Sequence, residues 1–249
     1  MTDETAGRTT DERLETYIDA HTDGESDYLY RLWRATNVHT IHGRMVSGHL
    51  QGRLLKMLVM MQRPRYVLEV GTFSGYSAIC MAEGLKELDD EAGANGAENR
   101  KKREGEAAAN DVPAPARKLF TFEINDEMED FTRPWIEGSA VAPYIDFRIG
   151  DAITEAPKLG LRFDLAFIDG DKRTYVETYD AVLPLMNPGG IILADNTLWD
   201  GHVVDHAYDR DQQTVGIRRF NDYIKQDRRV EEVILPIRDG LTLIRVKAQ

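Results

Sequence analysis

A chain of 249 residues, 42% of them hydrophobic, is long enough to bury one full α/β core and short enough to be a single domain with appendages. Its 43 acidic residues outweigh 31 lysines and arginines, and a net charge of −12 gives no general pull toward phosphate backbones or anionic lipid, which favours a small-molecule substrate. The apolar stretches are short and the N-terminus is acidic, so a soluble, cytoplasmic protein without a membrane partner is expected; the lone Cys80 excludes an internal disulfide and reads as core.

Residues 1–10 are polar and threonine-rich and read as a frayed terminus. Helical spacing runs from Asp11 to Ala20 and from Ser26 to about His42, with Leu29, Leu32, Trp33 and Thr36 on one face. A third helix, His49 to Met61, ends before Pro64. Tyr66–Val70 is a short apolar run that stops at Gly71, the pattern of a buried parallel strand, and a helix follows from Ser74 to about Leu88. Further strands are predicted at Lys118–Phe122, Ile145–Ile149, Phe163–Ile168 and Gly190–Ala194, most of them separated by helical patterns. Such alternation means a parallel sheet covered on both faces. The helix Lys172–Met186 carries Tyr175, Tyr179, Val182 and Met186 on one face and stops before Pro188-Gly189-Gly190. After a helix at Gln212–Asp227, the strands Val230–Pro236 and Leu241–Val246 flank the turn dipeptide Asp239-Gly240 and predict an antiparallel hairpin at the sheet edge. From about Glu87 to Arg117 the periodicity breaks into Asp, Glu, Ala, Gly and Asn around Arg100-Lys101-Lys102-Arg103. This segment reads as a flexible insertion within one domain spanning residues 11–249.

Three constellations carry chemistry. The first, Glu69-Val70-Gly71-Thr72-Phe73-Ser74-Gly75-Tyr76-Ser77, is a glycine-rich turn from strand to helix, where backbone can approach a ligand and free N–H groups can meet an anion. Its spacing is neither the dinucleotide fingerprint nor a phosphate-binding loop with its lysine. The second is Glu123 at the carboxyl end of its strand, where an acid accepts hydrogen bonds from ribose hydroxyls. The third is Asp169-Gly170-Asp171-Lys172 with Asp195-Asn196. Both acids end apolar strands that, as sheet neighbours ~5 Å apart, can converge on one ion. Two carboxylates and an amide oxygen suit Mg²⁺, Mn²⁺ or Ca²⁺ rather than zinc, although a hydrogen-bonded carboxylate pair is the other reading. His39, His42 and His49 lack a completing acid or cysteine and read as surface or packing residues, and the cluster Asp200, His202, Asp205, His206, Asp209 reads as a loop beside a substrate mouth.

Together these motifs resemble the cation-dependent O-methyltransferases that include the caffeoyl-CoA and catechol enzymes, over about Met45 to Val246. Met45-Val46-Ser47, Gln51-Gly52, Leu68 to Ser77, Asp169 to Tyr175, Pro188-Gly189-Gly190, Asp195 to Gly201 and Asp239 to Thr242 occur in the family's order. The resemblance is to bacterial and plant members more than to the animal catechol enzymes. It implies a Rossmann-like, seven-stranded, mostly parallel sheet with extra N-terminal helices, and a homodimer. It implies that Met45 and Val46 line the entrance for S-adenosylmethionine, and that Glu69, Gly71, Phe73 and Ser77 surround the methionine part. Glu123 would hold the ribose, Ile124 and Ala152 the adenine, and Asp169 and Asp171 would also border the cofactor. Asp169, Asp195 and Asn196 would ligate the cation, Lys172 would be the catalytic base with its pKa pushed down by that cation, and the acceptor would be a vicinal dihydroxy small molecule. The Glu87–Arg117 insertion departs from the family pattern. A methyltransferase acting on a 5-hydroxyuridine of tRNA is the alternative, supported by the Arg100–Arg103 run and opposed by the acidic charge; a metal-dependent hydrolase or a nucleotide-binding oxidoreductase on the same fold is the other.

Overall fold

The computed structural model describes residues 12–101 and 116–248. The terminus expected to fray, residues 1–10, and residues 102–115 of the insertion lie outside them. Three helices come first: α1 (Glu12–Ala20), α2 (Asp27–His39) and α3 (His49–Gln62). Ser26 starts α2 by accepting from the Leu29 N–H, and a 3-10 turn at Gly43–Met45 separates α2 from α3. Arg63, in the left-handed conformation (φ 52°), ends α3 before Pro64. The remaining elements are β1 (Tyr66–Val70), α4 (Tyr76–Lys101), β2 (Lys118–Glu123), α5 (Glu129–Glu137), β3 (Ile145–Ile149), α6 (Ala152–Glu155), β4 (Phe163–Ile168), α7 (Tyr175–Val182), β5 (Met186–Asp195), α8 (Gln212–Gln226), β6 (Val230–Leu235) and β7 (Leu241–Val246).

The seven strands form one sheet in the order β3-β2-β1-β4-β5-β7-β6, parallel except for β7, which runs antiparallel between β5 and β6. Fold class, helices on both faces and edge hairpin are as the sequence led us to expect. Period-two alternation divides the core. Val67, Leu165 and Phe167 pack with Leu29, Leu55, Val59 and Ile79 of α2, α3 and α4. Leu68, Ala166 and Ile168 pack on the opposite face with Tyr175, Tyr179, Ile217 and Phe220 of α7 and α8.

Several boundaries and one burial differ from expectation. Helix α4 passes the predicted stop near Leu88 and continues to Lys101, because Glu87-Leu88-Asp89-Asp90-Glu91-Ala92 contains no proline and Lys86 pairs with Asp90 one turn on. The helix expected to run to Met186 ends at Val182: Pro184 turns Leu183–Leu185 into a 3-10 turn, and Met186 opens β5. Trp33, placed with the buried face of α2, is 37% exposed, whereas Leu29, Leu32 and Thr36 are buried. Ser74 precedes α4 within the turn and does not begin it.

Candidate active site

The register of the parallel strands sets the site. Ile168 lies opposite Ala194 and Val70 opposite both Ile168 and Phe122, so the residues one step on (Gly71, Glu123, Asp169 and Asp195) gather at the carboxyl ends of four adjacent strands. Ligands of open α/β sheets bind at this end. At Gly71, φ is +97° and a Cβ would overlap the Asp169 carbonyl, so only glycine lets the turn after β1 press against the end of β4.

On the β1–β2 side, Glu69 points to the α4 face of the sheet and is fully buried. Its carboxyl accepts from Ser77 Oγ (2.5 Å) and Thr121 Oγ1 (2.6 Å), and Thr121 in turn meets Thr72 Oγ1 at 2.6 Å. Burial raises its pKa to about 8; the two hydroxyls oppose the shift, and the charges of Asp169 and Glu123 add to it. Glu123 accepts from the backbone N–H groups of Phe73 (2.7 Å) and Asn125 (2.9 Å). Met45, Val46, Gly71, Phe73, Ser77 and Asp169 line one cleft. Ala152 is buried at the start of α6, beside the loop in which Gly150 N donates to the Glu123 carbonyl. Ile124, next to Glu123, is 74% exposed.

On the β4–β5 side, Asp169 accepts from Lys172 Nζ at 2.7 Å, and Lys172 Nζ also donates to the Tyr175 hydroxyl at 2.9 Å. That hydroxyl donates to the Asp195 carbonyl (2.9 Å). Burial pulls the Lys172 pKa down, but the Asp169 charge outweighs it, and the ammonium is held above its ordinary range. Asp195 is buried and accepts from Gln51 Nε2 (2.7 Å) and the Asn196 N–H (2.9 Å). Burial, reinforced by Asp169, lifts its pKa to about 6. Asn196 adopts a left-handed backbone (φ 57°), and its amide donates to Asp239 at 3.4 Å.

Asp171 stands apart from this group. Its carboxylate caps the turn at Lys172–Thr174 and pairs with Arg173, whose guanidinium and N–H hold its pKa down. His39 and His42 are exposed, and His49 Nε2 shares a hydrogen bond with the Asp23 carbonyl (2.7 Å). His202 stacks on Tyr208 with ring centroids 3.5 Å apart, and Arg218 of α8 ties this loop down through the carbonyls of His202, Val203 and Asp205.

Three participants escaped sequence reasoning. Gln51 lies on the face of α3 that buries Leu55 and Val59, and an amide at that spacing was the available signal. Tyr175 looked like core because its ring is buried; only its hydroxyl reaches the site. Arg238, which donates to Gln51 Oε1 at 2.8 Å, carries no sequence signal beyond its place beside Asp239-Gly240.

A doubly covered sheet with acids and a glycine turn at its carboxyl edge defines an α/β protein whose ligand site lies at that edge. The family model described as O-methyltransferase matches residues 19–94 and 106–247, and the chain belongs to that family. It is 32% identical to tricin synthase 2 of Oryza sativa subsp. japonica over 89% of its own length and 70% of that protein's. It is 31% identical to a caffeoyl-CoA O-methyltransferase of Mesembryanthemum crystallinum over 81% and 72%. Among solved structures it superposes on the SAH-bound methyltransferase PaMTH1 of Podospora anserina with a TM-score of 0.78 at 23% identity, covering 100% of this chain and 97% of that one. The resemblance inferred from the motifs is borne out, and no helix among the described residues is long and apolar enough to cross a membrane.

Proposed function

We propose that this O-methyltransferase moves the methyl group of S-adenosylmethionine to one hydroxyl of a small molecule bearing two vicinal hydroxyls, with a divalent cation (Mg²⁺, or alternatively Mn²⁺ or Ca²⁺) held by Asp169, Asp195 and Asn196. The observation that carries the reading is that the cleft after β1 and the acid pair of β4 and β5 share a wall: Asp169 lines the cleft and bonds Lys172 at the same time. A donor in the cleft and an acceptor over the acids would therefore meet. Glu69 and Glu123, two acids without a cationic partner, suit the ammonium and the ribose hydroxyls of the donor, and Met45, Val46, Gly71, Phe73 and Ser77 the rest of its amino-acid end. Ile124 and Ala152 suit the adenine, whereas Asp171, engaged by Arg173, has the weakest support as a cofactor contact.

The donor set fits a hard cation, since it consists of oxygens only and includes a carboxyl, Asp195, whose pKa burial, with the Asp169 charge added, lifts to about 6. When bound, such a cation supplies Lewis acidity to the two acceptor oxygens and makes the one to be methylated easier to deprotonate. Lys172 Nζ is the group that receives that proton. Burial alone favours its neutral form, so whatever draws the Asp169 charge away from Nζ leaves the lysine able to act as base. The acceptor oxygen then forms its bond to the methyl carbon as the sulfur–methyl bond breaks, leaving a methyl ether and S-adenosylhomocysteine. Residues 11–249 form one domain in this reading. A cytoplasmic homodimer belongs to it too, supported by the exposed Tyr30, Trp33, Val38 and Ile41 on and after α2.

Labelled S-adenosylmethionine offered with catechols, caffeoyl esters or bulk tRNA, with and without a chelator, tests the proposal. Label on a catechol-type oxygen that disappears on chelation and returns with Mg²⁺ is the expected result. Transfer that survives thorough chelation would sink the cation, and label on tRNA alone would sink the small-molecule acceptor.

A further inference from the structure

The turn between β6 and β7 sits over the carboxyl end of β5. Thr197 N donates to the Gly240 carbonyl (3.0 Å) and Leu198 N to the Asp239 carbonyl (2.7 Å). A Cβ on Gly240 would lie 2.7 Å from Leu198 N, so the two loops are in direct contact. Arg238 opens this turn in a left-handed backbone conformation (φ 51°), which is strained for any residue with a Cβ. Its side chain reaches the buried Gln51, whose Oε1 accepts from Arg238 Nη1 (2.8 Å) while its Nε2 donates to Asp195 Oδ2 (2.7 Å). Only this orientation of the amide satisfies both neighbours, because the flipped one would set oxygen against carboxylate and NH₂ against guanidinium. Gln51 therefore anchors a cation one side chain away from Asp195.

Most arginines in this acidic chain that come near a carboxylate pair with it, as Arg63, Arg173, Arg218 and Arg229 do. Arg238 meets no carboxylate among the described residues; Gln51 is interposed between it and Asp195. Its remaining N–H groups are exposed, arranged in the planar fork that matches a carboxylate or phosphate.

We propose that Arg238, tethered by Gln51 at the mouth of the acid pair, is a specificity-determining residue that selects acceptors carrying an anionic group, a carboxylate above all, on the dihydroxylated ring. The inference rests on the acceptor site being at Asp169 and Asp195. It adds the substrate's charge, which neither the acid pair nor the donor cleft specifies.

The test compares protocatechuate with its neutral counterpart methylcatechol, using the full chain with S-adenosylmethionine and Mg²⁺. Arg238→Ala should raise KM for protocatechuate roughly 10- to 100-fold more than for methylcatechol, the scale of a lost hydrogen bond between charged groups, with kcat changed far less than KM. Arg238→Lys should recover part of the discrimination and Gln51→Leu, which frees the guanidinium from its tether, should lose part of it. Equal effects on both acceptors, accompanied by weaker Mg²⁺ binding in a fluorescence titration, would overturn the proposal, because Arg238 would then act only through Gln51 on Asp195. If the wild-type protein methylates neither compound, the dihydroxylated-ring acceptor of the proposed function is what fails. Calorimetric titration of protocatechuate into wild-type and Arg238→Ala protein then decides on Arg238 directly, and equal affinities refute it.

Discussion

The two halves of the carboxyl edge each hold a pair of acids and neutralise them in opposite ways. Around β1 and β2, among the described residues, Glu69 and Glu123 receive hydrogen bonds only from hydroxyls and backbone N–H groups. Around β4 and β5, Asp169 holds the Lys172 ammonium and Asp195 takes the amide of Gln51, with the Arg238 guanidinium behind it. Buried carboxylates without a cation favour the protonated form or a cationic ligand, as the pKa of about 8 for Glu69 expresses. Those with a resident cation can exchange it. In the proposed function the first half receives charge from a ligand, and the second passes charge between its own groups.

Removing Asp195 should break the second half outright. Asp195→Ala should lower the methylation rate by roughly 10³-fold or more, since a bound cation contributes several kcal/mol of charge stabilisation. Mg²⁺ affinity should fall with it, and excess Mg²⁺ should restore part of the activity. Donor binding measured by calorimetry should persist; its simultaneous loss would show that the halves do not act separately.

Lys172→Ala makes a sharper cut within the same half. It should retain donor and Mg²⁺ binding and lose roughly 10²–10⁴-fold in kcat, the span of a positioned general base. The deficit should shrink for acceptors whose hydroxyl is already acidic. A flat dependence on acceptor acidity would reduce Lys172 to the counter-ion of Asp169 that its 2.7 Å contact already makes it.

The first half is tested by pH. Glu69 has its folded pKa raised from about 4.5 to about 8, so the folded protein holds a proton that the unfolded chain has released between those values. The stability associated with this group is complete below about pH 4.5 and is lost as pH rises to about 8, a change on the order of a few kcal/mol. Chemical denaturation of the ligand-free protein at pH 5, 6, 7 and 8 should show the decline, and Glu69→Gln should flatten it. Adding S-adenosylhomocysteine, whose ammonium would pair with the ionised carboxylate, should flatten it in the wild type only.

Much of this contrast is legible in the sequence. The strand-end acids declare themselves because Glu123, Asp169 and Asp195 each interrupt an apolar run, and β1 and β7 have the predicted bounds because their alternation is framed by proline and glycine. How each acid is neutralised is hidden. Gln51 and Arg238 are 187 residues apart in sequence and meet only because β7 inserts beside β5 and brings its turn over α3. The end of α7 at Val182 was readable at Pro184, but the apolar run through Met186 masked it. The course of α4 to Lys101 was obscured by its polar, glycine-containing composition, which helical propensity tolerates on a surface.

The smallest change separates donor recognition from the shape of the glycine turn. Glu123 uses one carboxylate oxygen to hold the Phe73 N–H at 2.7 Å, where Phe73 is itself left-handed (φ 48°), and the other to hold the Asn125 N–H at 2.9 Å. Each oxygen keeps a further lone pair for a ribose hydroxyl. In Glu123→Gln one of these oxygens becomes an NH₂, which cannot accept from either backbone donor and faces it as a second donor. Affinity for S-adenosylmethionine should then fall by ~1–3 kcal/mol, the range for a hydrogen bond to a charged group or a donor left unpaired, while Mg²⁺ binding stays as it was. Adenosine, which keeps the ribose but lacks the amino-acid end, should lose a similar factor. If S-adenosylmethionine weakens and adenosine does not, Glu123 acts by holding Phe73 and the turn in shape, and the ribose contact is wrong.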